Sequence, residues 1–310
     1  YQSGFCDGDD EAVIVCDFLE MAENVDWSTN APKILFQHNV ETLIWRRYFE
    51  NESNTIKKAY FNFEQKRLAE YEKTACNKFD LIFTVSEEDK ALLRDDFGVT
   101  TPIEVIETGV DTNFFKPAET IDPTPGRLLF LGSMDWMPNI DGIDWFVSNV
   151  YPLIKKTRPR VSLQIVGRRP GREVRRLTGL DPSINVIGDV PDVRPYIAGA
   201  ELFIVPLRIG GGSRIKIYEA MAMRRPVIST TIGAEGLPVD NGEHILLGDR
   251  PEQFADRVND LLANPDKRDR IAANGFNLVR EKYQWKSVAR KFHSLCQELT
   301  TKERRSAVKK

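Results

Sequence analysis

The sequence predicts an α/β protein with two parallel sheets, and three observations carry that expectation. Short apolar runs alternate with longer amphipathic stretches along the whole chain, which is how strands alternate with crossover helices. The pattern falls into two blocks separated by KPAETIDPTPG, a stretch rich in proline and polar residues. A chain of 310 residues also exceeds what one core usually organises.

The expected strands are Ala12–Cys16, Lys33–Gln37, Leu81–Val85 and Ile103–Ile106 in the first block. In the second they are Arg127–Leu131, Ser162–Val166, Ile184–Ile187, Leu202–Pro206, Val227–Thr230 and His244–Leu247. Helices are expected over Thr55–Lys78, Glu87–Phe97, Ile140–Lys156, Val190–Ala198, Ile215–Ala222, Pro251–Ala263 and Pro265–Glu281. These give an N-terminal unit over 1–117, a linker over 118–126 and a C-terminal unit over 127–284. A last helix spans 285–300, and a charged tail, 301–310, is expected to fray. The chain opens at Tyr1, and its first residues already read as the middle of a domain. The expectation is therefore an N-terminal unit lacking its first strands.

Hydrophobic residues at 41% and charged residues at 29% are ordinary for a soluble globular protein. A net charge of −3 argues against general nucleic-acid binding. No apolar run reaches the length of a membrane span, and no signal peptide is visible. Cys6, Cys16, Cys76 and Cys296 are scattered and read as reduced thiols of a cytoplasmic protein. With His38, His244 and His293 far apart in sequence, no metal site is legible.

The most telling segment is PLRIGGGSRIKIYEAMAMRRPVIST, Pro206 to Thr230. Three glycines follow a strand-like run, and Ser213 can cap the helix after them. Arg214 and Lys216 then fall in the first helical turn, with Arg208 just upstream. Cations there oppose the helix dipole unless an anion sits on them. Gly211 and Gly212, free N–H groups and these cations together describe a phosphate or diphosphate site. Glu219, one turn along, suits a carboxylate that accepts sugar hydroxyls. Taken alone, the glycines could equally make a tight strand-to-helix turn.

This segment resembles the nucleotide-binding half of family 4 glycosyltransferases, retaining enzymes of the GT-B fold. Glu219-Ala-Met-Ala with Pro226 and Val227 matches the second half of the family's paired-glutamate pattern. The first glutamate, which touches the donor sugar in the family, would fall at Gly211 and is absent. The resemblance implies two Rossmann-like domains, the N-terminal one incomplete, and a terminal helix that crosses back onto it. It implies a hexosyl-type transferase using a nucleoside diphosphate sugar, with no further cofactor and no metal. Glu219 would bind the ribose hydroxyls.

Further matches are spread along the chain. His38, in QHNVE at a strand's carboxyl end, matches a family histidine that faces the donor sugar; alone it would read as a structural hydrogen-bonder. Gly132 and Ser133 follow the first strand of the second block, where a backbone can approach a ligand. The arginine and lysine common in that loop are missing, so Arg208, Arg214 and Lys216 are expected to act in their place. Gly167 lies in a loop like the family's V-G-x-G-P; the arginines from Arg168 to Arg176 read more simply as a solvated basic face. Asp111 and Phe115 are expected to shape a turn.

Two competing functions can be weighed. A nicotinamide oxidoreductase needs G-x-G-x-x-G after a first strand, and P-loop enzymes need G-x-x-x-x-G-K-[ST]; neither occurs. A silent nucleotide-sugar-binding module stays open, given Gly211. Polysaccharide or glycolipid assembly is the implied setting, with a sugar or lipid-linked acceptor. The stretch from Trp45 to Lys78 interleaves aromatic residues with an excess of basic ones, so peripheral docking at the inner face of the membrane is one reading. The other is a helix with its aromatics in the core.

Overall fold

The computed structural model of the protein describes residues 12–118, 120–209 and 215–307, with side chains as far as residue 301. The chain divides into two compact units, one holding residues up to 108 and from 286 onward, the other the residues between.

The first unit carries β1 (Ile14–Asp17), β2 (Lys33–Gln37), α1 (Glu41–Asn51), α2 (Thr55–Cys76), β3 (Leu81–Thr84), α3 (Glu87–Ala91) and β4 (Ile103–Val105). Its strands pair in parallel in the order β1-β2-β3-β4. Successive side chains face opposite sides of the sheet. Leu35 and Ile82 enter one core with Cys76, Phe79 and Leu93, while Ile34, Leu81 and Phe83 enter another. Asn54 starts α2, its Oδ1 accepting from the amides of Ile56 and Lys57 at 3.0 and 3.1 Å. Ser86 caps α3 through the amide of Asp89 at 3.0 Å. The helix expected over Glu87–Phe97 loses its α register at Leu92, where a π turn runs to Asp96.

The second unit carries β5 (Arg127–Leu131), α4 (Met137–Trp145), α5 (Tyr151–Thr157), β6 (Ser162–Val166), α6 (Arg172–Arg175), β7 (Ile184–Gly188), α7 (Arg194–Gly199) and β8 (Leu202–Val205). It continues through α8 (Ile215–Ala222), β9 (Val227–Ser229), β10 (Leu246–Leu247), α9 (Pro251–Ala263) and α10 (Pro265–Lys282). The six strands are parallel in the order β10-β9-β8-β5-β6-β7. All four residues of β8 are buried, as a central parallel strand with both faces covered requires. Burying each such side chain contributes about 1.5–3 kcal/mol. The helix expected over Ile140–Lys156 is interrupted by a π turn at Phe146–Val150, next to Pro152, which has no N–H to give the ladder.

The boundary between the units falls at Thr108/Gly109, ahead of the expected linker. Val110 explains the difference. Its amide donates to the Tyr283 carbonyl at 2.8 Å and its carbonyl accepts from Trp285 at 3.1 Å, tying this stretch to the second unit. Asp111 Oδ1 accepts from the amides of Asn113 and Phe114, making the expected turn. Within 118–126, Ile121 packs on the second core and the Thr124 amide donates to Gly199.

The last helix, α11 (Trp285–Ala307), runs past its expected end. Its Val288, Phe292, Leu295 and Leu299 pack on the face of the first sheet that holds Ile34 and Phe83. Lys291 adds an ion pair to Glu107 at 2.8 Å.

Candidate functional site

In the second sheet β5 is followed by β6 on one side, while the chain returns on the other side as β8. The order of connection therefore reverses between β5 and β8. Ligands of open α/β sheets bind outside the carboxyl ends of the strands at such a point. Gly132 and Ser133 leave β5 there, and Arg208 lies just past β8. Gly211, Gly212, Ser213 and Arg214 lie outside the described residues, and Lys216 and Glu219 sit on α8 just beyond them.

Glycines let these loops close on one another. A Cβ on Gly132 would meet the Asn139 side chain at 2.7 Å. One on Gly167, whose φ is +154°, would meet the Gly132 carbonyl oxygen at 1.7 Å. Gly142 does the same for α4, where a Cβ would lie 2.8 Å from the Pro206 carbonyl oxygen. Small residues here thus serve the approach of loop to loop, beyond any approach to a ligand.

Asn139, buried in the first turns of α4, connects the parts. Its Nδ2 donates to the Ser133 carbonyl at 2.8 Å, and its Oδ1 accepts from Lys216 Nζ at 2.9 Å. Lys216 Nζ also lies 5.2 Å from the centre of the Phe130 ring, a cation–π distance. The ammonium is thereby held over the carboxyl end of β5.

Three further cations, Arg208, Arg169 and Arg176, are matched by aspartates of the 135–144 segment. Arg208 makes a two-pronged contact with Asp141, at 3.0 and 2.5 Å. Arg169 pairs with Asp135 at 3.0 Å and Arg176 with Asp144 at 2.6 Å. Asp135 also accepts from Ser133 Oγ at 2.5 Å, and this hydrogen bond, then the arginine, holds its carboxyl below the usual range. Arg208 and Ser133 are thus engaged within the protein, a feature their sequence positions do not reveal.

Glu219 differs from these carboxylates. It accepts no hydrogen bond from a described side chain, and burial pushes its carboxyl up to about 7, against a smaller opposing pull from Lys216. A desolvated carboxylate with no side-chain donor among the described residues is suited to hydroxyl groups of a ligand.

The first unit holds His38, just past the carboxyl end of β2. Its ring lies between Phe18 and Phe36, with centroids 4.3 and 4.4 Å away. Its Nε2 is 2.6 Å from Asp17 Oδ1 at the end of β1. Beneath, the buried Glu72 accepts from Gln37 Nε2 at 2.5 Å and from the amides of Glu41 and Thr42 at 3.0 Å each, capping α1 from a neighbouring helix. Burial raises the Glu72 carboxyl against these hydrogen bonds, and raises that of Glu41 to about 7.

Among the described residues, Asp240, Glu243 and His244 bring potential metal-ligand atoms within 4.8 Å of one another. The sequence reading missed this group because it weighed only the widely spaced histidines and cysteines. His244 Nδ1 there accepts from the Asp240 amide at 3.1 Å.

Two parallel Rossmann-like sheets, with a cation and a carboxylate gathered at the switch point of the second, define the GT-B class of glycosyltransferase folds. Sucrose-phosphate synthase from Thermosynechococcus elongatus superposes with a TM-score of 0.77 at 20% identity, covering 93% of this chain and 74% of its own, which is a likeness of fold. A family model described as Glycosyl transferases group 1 matches residues 125–264, and one described as Glycosyltransferase Family 4 matches residues 20–114. The chain belongs to the family 4 glycosyltransferases.

The chain is similar to the lipopolysaccharide core biosynthesis mannosyltransferase LpcC of Rhizobium leguminosarum, 25% identical over 73% of this chain and 65% of that protein. It is also similar to a GDP-mannose-dependent α-(1-6)-phosphatidylinositol monomannoside mannosyltransferase of Mycobacterium tuberculosis, 26% identical over 68% of this chain and 60% of that protein. The chain spans no more than 66% of the length of the first curated relatives it matches.

Proposed function

We propose that this chain transfers a hexosyl-type sugar from a nucleoside diphosphate sugar to an acceptor hydroxyl, with retention at the anomeric carbon. The observation that carries the reading is the pairing of Lys216 with Glu219 at the switch point. One supplies a fixed cation and the other a desolvated carboxylate. As the glycosidic bond breaks, negative charge grows on the leaving diphosphate. A cation already oriented by Asn139 stabilises that charge without reorganising. Glu219 accepts the ribose hydroxyls, and His38 meets the transferred sugar. In this reading the donor is the substrate, no cofactor is needed, and the diphosphate is neutralised by side chains in place of a metal.

The acceptor is a glycan or glycolipid of polysaccharide or lipid-linked assembly, met at the cytoplasmic face of a membrane. Support comes from the names of both relatives, which specify lipid-borne glycans. It comes also from α2, where Ile56, Tyr60 and Phe63 are 81%, 53% and 58% exposed among Lys57, Lys58, Lys66 and Arg67. Trp45, Tyr48 and Phe61 pack together alongside and are half-buried, with Tyr60 resting against Trp45 and Phe61. No described helix is long and apolar enough to cross a membrane. Changing the four cations to Gln should abolish co-sedimentation with anionic vesicles and leave nucleotide binding intact.

The activity is tested by incubating the protein with a panel of GDP- and UDP-sugars and following sugar release and transfer by NMR. An α-linked product from an α-linked donor supports the proposal. Binding without turnover of any donor would instead favour the silent module, the reading prompted by glycine at position 211.

A further inference from the structure

His38 is held by more than its own strand. Asp17 ends β1, and its register partner is Phe36, two residues before His38 on the parallel neighbour. The two side chains therefore rise from adjacent strand ends on the same edge of the sheet. The Phe18 amide still donates to the Phe36 carbonyl at 3.0 Å, continuing the ladder by one residue. The backbone of Phe18 then turns sharply, with φ 73° and ψ 146°, close to a region that essentially only glycine occupies. That turn sets the Phe18 ring 4.3 Å from the imidazole, with Phe36 at 4.4 Å as the second wall.

An ionised carboxylate can only accept, so in the 2.6 Å contact to Asp17 the proton lies on His38 Nε2. The neutral ring then has its lone pair on Nδ1, which has no partner among the described residues. The Asp17 side chain is 63% exposed, and ion pairs that open to solvent contribute little to stability. Orientation is what this contact supplies.

We propose that Asp17 is the positioning residue of His38. It fixes the ring plane and the Nε2–H tautomer between two aromatic walls. Nδ1 is then presented as an acceptor for a hydroxyl of the transferred sugar. This rests on the reading that His38 meets that sugar.

The test joins spectroscopy to a double-mutant cycle on the full chain. In ¹⁵N spectra of the ligand-free protein, assigned with His38→Gln, the His38 ring should be in the Nε2–H form with that proton protected from exchange. In Asp17→Ala the protection should vanish and the second tautomer appear, with the fold unchanged by circular dichroism. Asp17→Ala should lower turnover of the donor the wild type uses, GDP-mannose or UDP-glucose, by about tenfold to a hundredfold with little change in KM. In a His38→Gln background it should cause no further loss. Unchanged tautomer and exchange in Asp17→Ala, or fully additive losses, would overturn the proposal. If His38→Gln leaves turnover untouched while Asp17→Ala still changes the ring spectrum, the sugar contact fails and the positioning of the ring stands.

Discussion

Lys216 Nζ donates to Asn139 Oδ1 at 2.9 Å, joining α8 to the start of α4 across the carboxyl end of β5. Because Asn139 also holds the Ser133 carbonyl, one amide side chain sets both a cation and the loop beside it. Asn139→Leu should keep the lysine but remove the hydrogen bond that orients it. A charge-assisted contact is worth about 1.5–3 kcal/mol, so affinity for pyrophosphate should fall roughly tenfold or more. Titration calorimetry on Asn139→Leu and Lys216→Ala checks it. The two variants should lose similar amounts, and the double variant little more.

Glu219 makes stability depend on pH. Its carboxyl is raised from 4.5 to about 7 in the fold, so between those values the folded state binds more protons than the unfolded one. Stability should therefore fall as pH rises through that window. Glu41, raised to about 7 by burial, adds to the same slope. Glu219→Gln should flatten it and stabilise the protein at pH 8 by up to about 3 kcal/mol. Urea unfolding of the wild type and the variant at pH 5 and pH 8 measures the difference. A gain equal at both pH values would contradict the assignment.

Gly167→Ala should be severely destabilising. The added carbon would fall 1.7 Å from the Gly132 carbonyl, at a φ of +154°. Relief requires moving one of two loops at the switch point, at a cost of about 3 kcal/mol or more. A melting-temperature comparison with Gly171→Ala, where nothing lies within 4 Å of the new carbon, provides the control.

Glu72→Ala should destabilise the first unit by about 3 kcal/mol or more, because it strands the donors of Gln37, Glu41 and Thr42 in the interior. Hydrogen exchange should show the loss first at the start of α1. Uniform loss across both units would argue against a local capping role.

The strands were legible because buried parallel strands are continuous apolar runs. Leu202–Val205 and Arg127–Leu131 announce themselves in this way. Helix α1 was not anticipated, since its cap, Glu72, comes from a distant part of the chain. The interruption of the Ile140–Lys156 helix was signalled by Pro152, though not its form as a π turn. At the site, Lys216 and Glu219 could be read from their spacing after the glycines. Asn139, Asp135, Asp141 and Asp17 could not. Each acts through a partner more than twenty residues away in sequence. The aspartate pairing of Arg208 is the clearest case, because its sequence position shows a cation and hides the counter-charge.

The proposed activity requires a nucleoside diphosphate site built on Lys216 and Glu219. Parallel calorimetric titrations of GDP, UDP and inorganic pyrophosphate into the wild type, Lys216→Ala and Glu219→Gln test it most directly. Lys216→Ala should weaken binding of the preferred nucleotide and of pyrophosphate alike, while Glu219→Gln should weaken the nucleotide and leave pyrophosphate unchanged. Wild-type affinity for the nucleotide in both variants, with the fold intact, would contradict it.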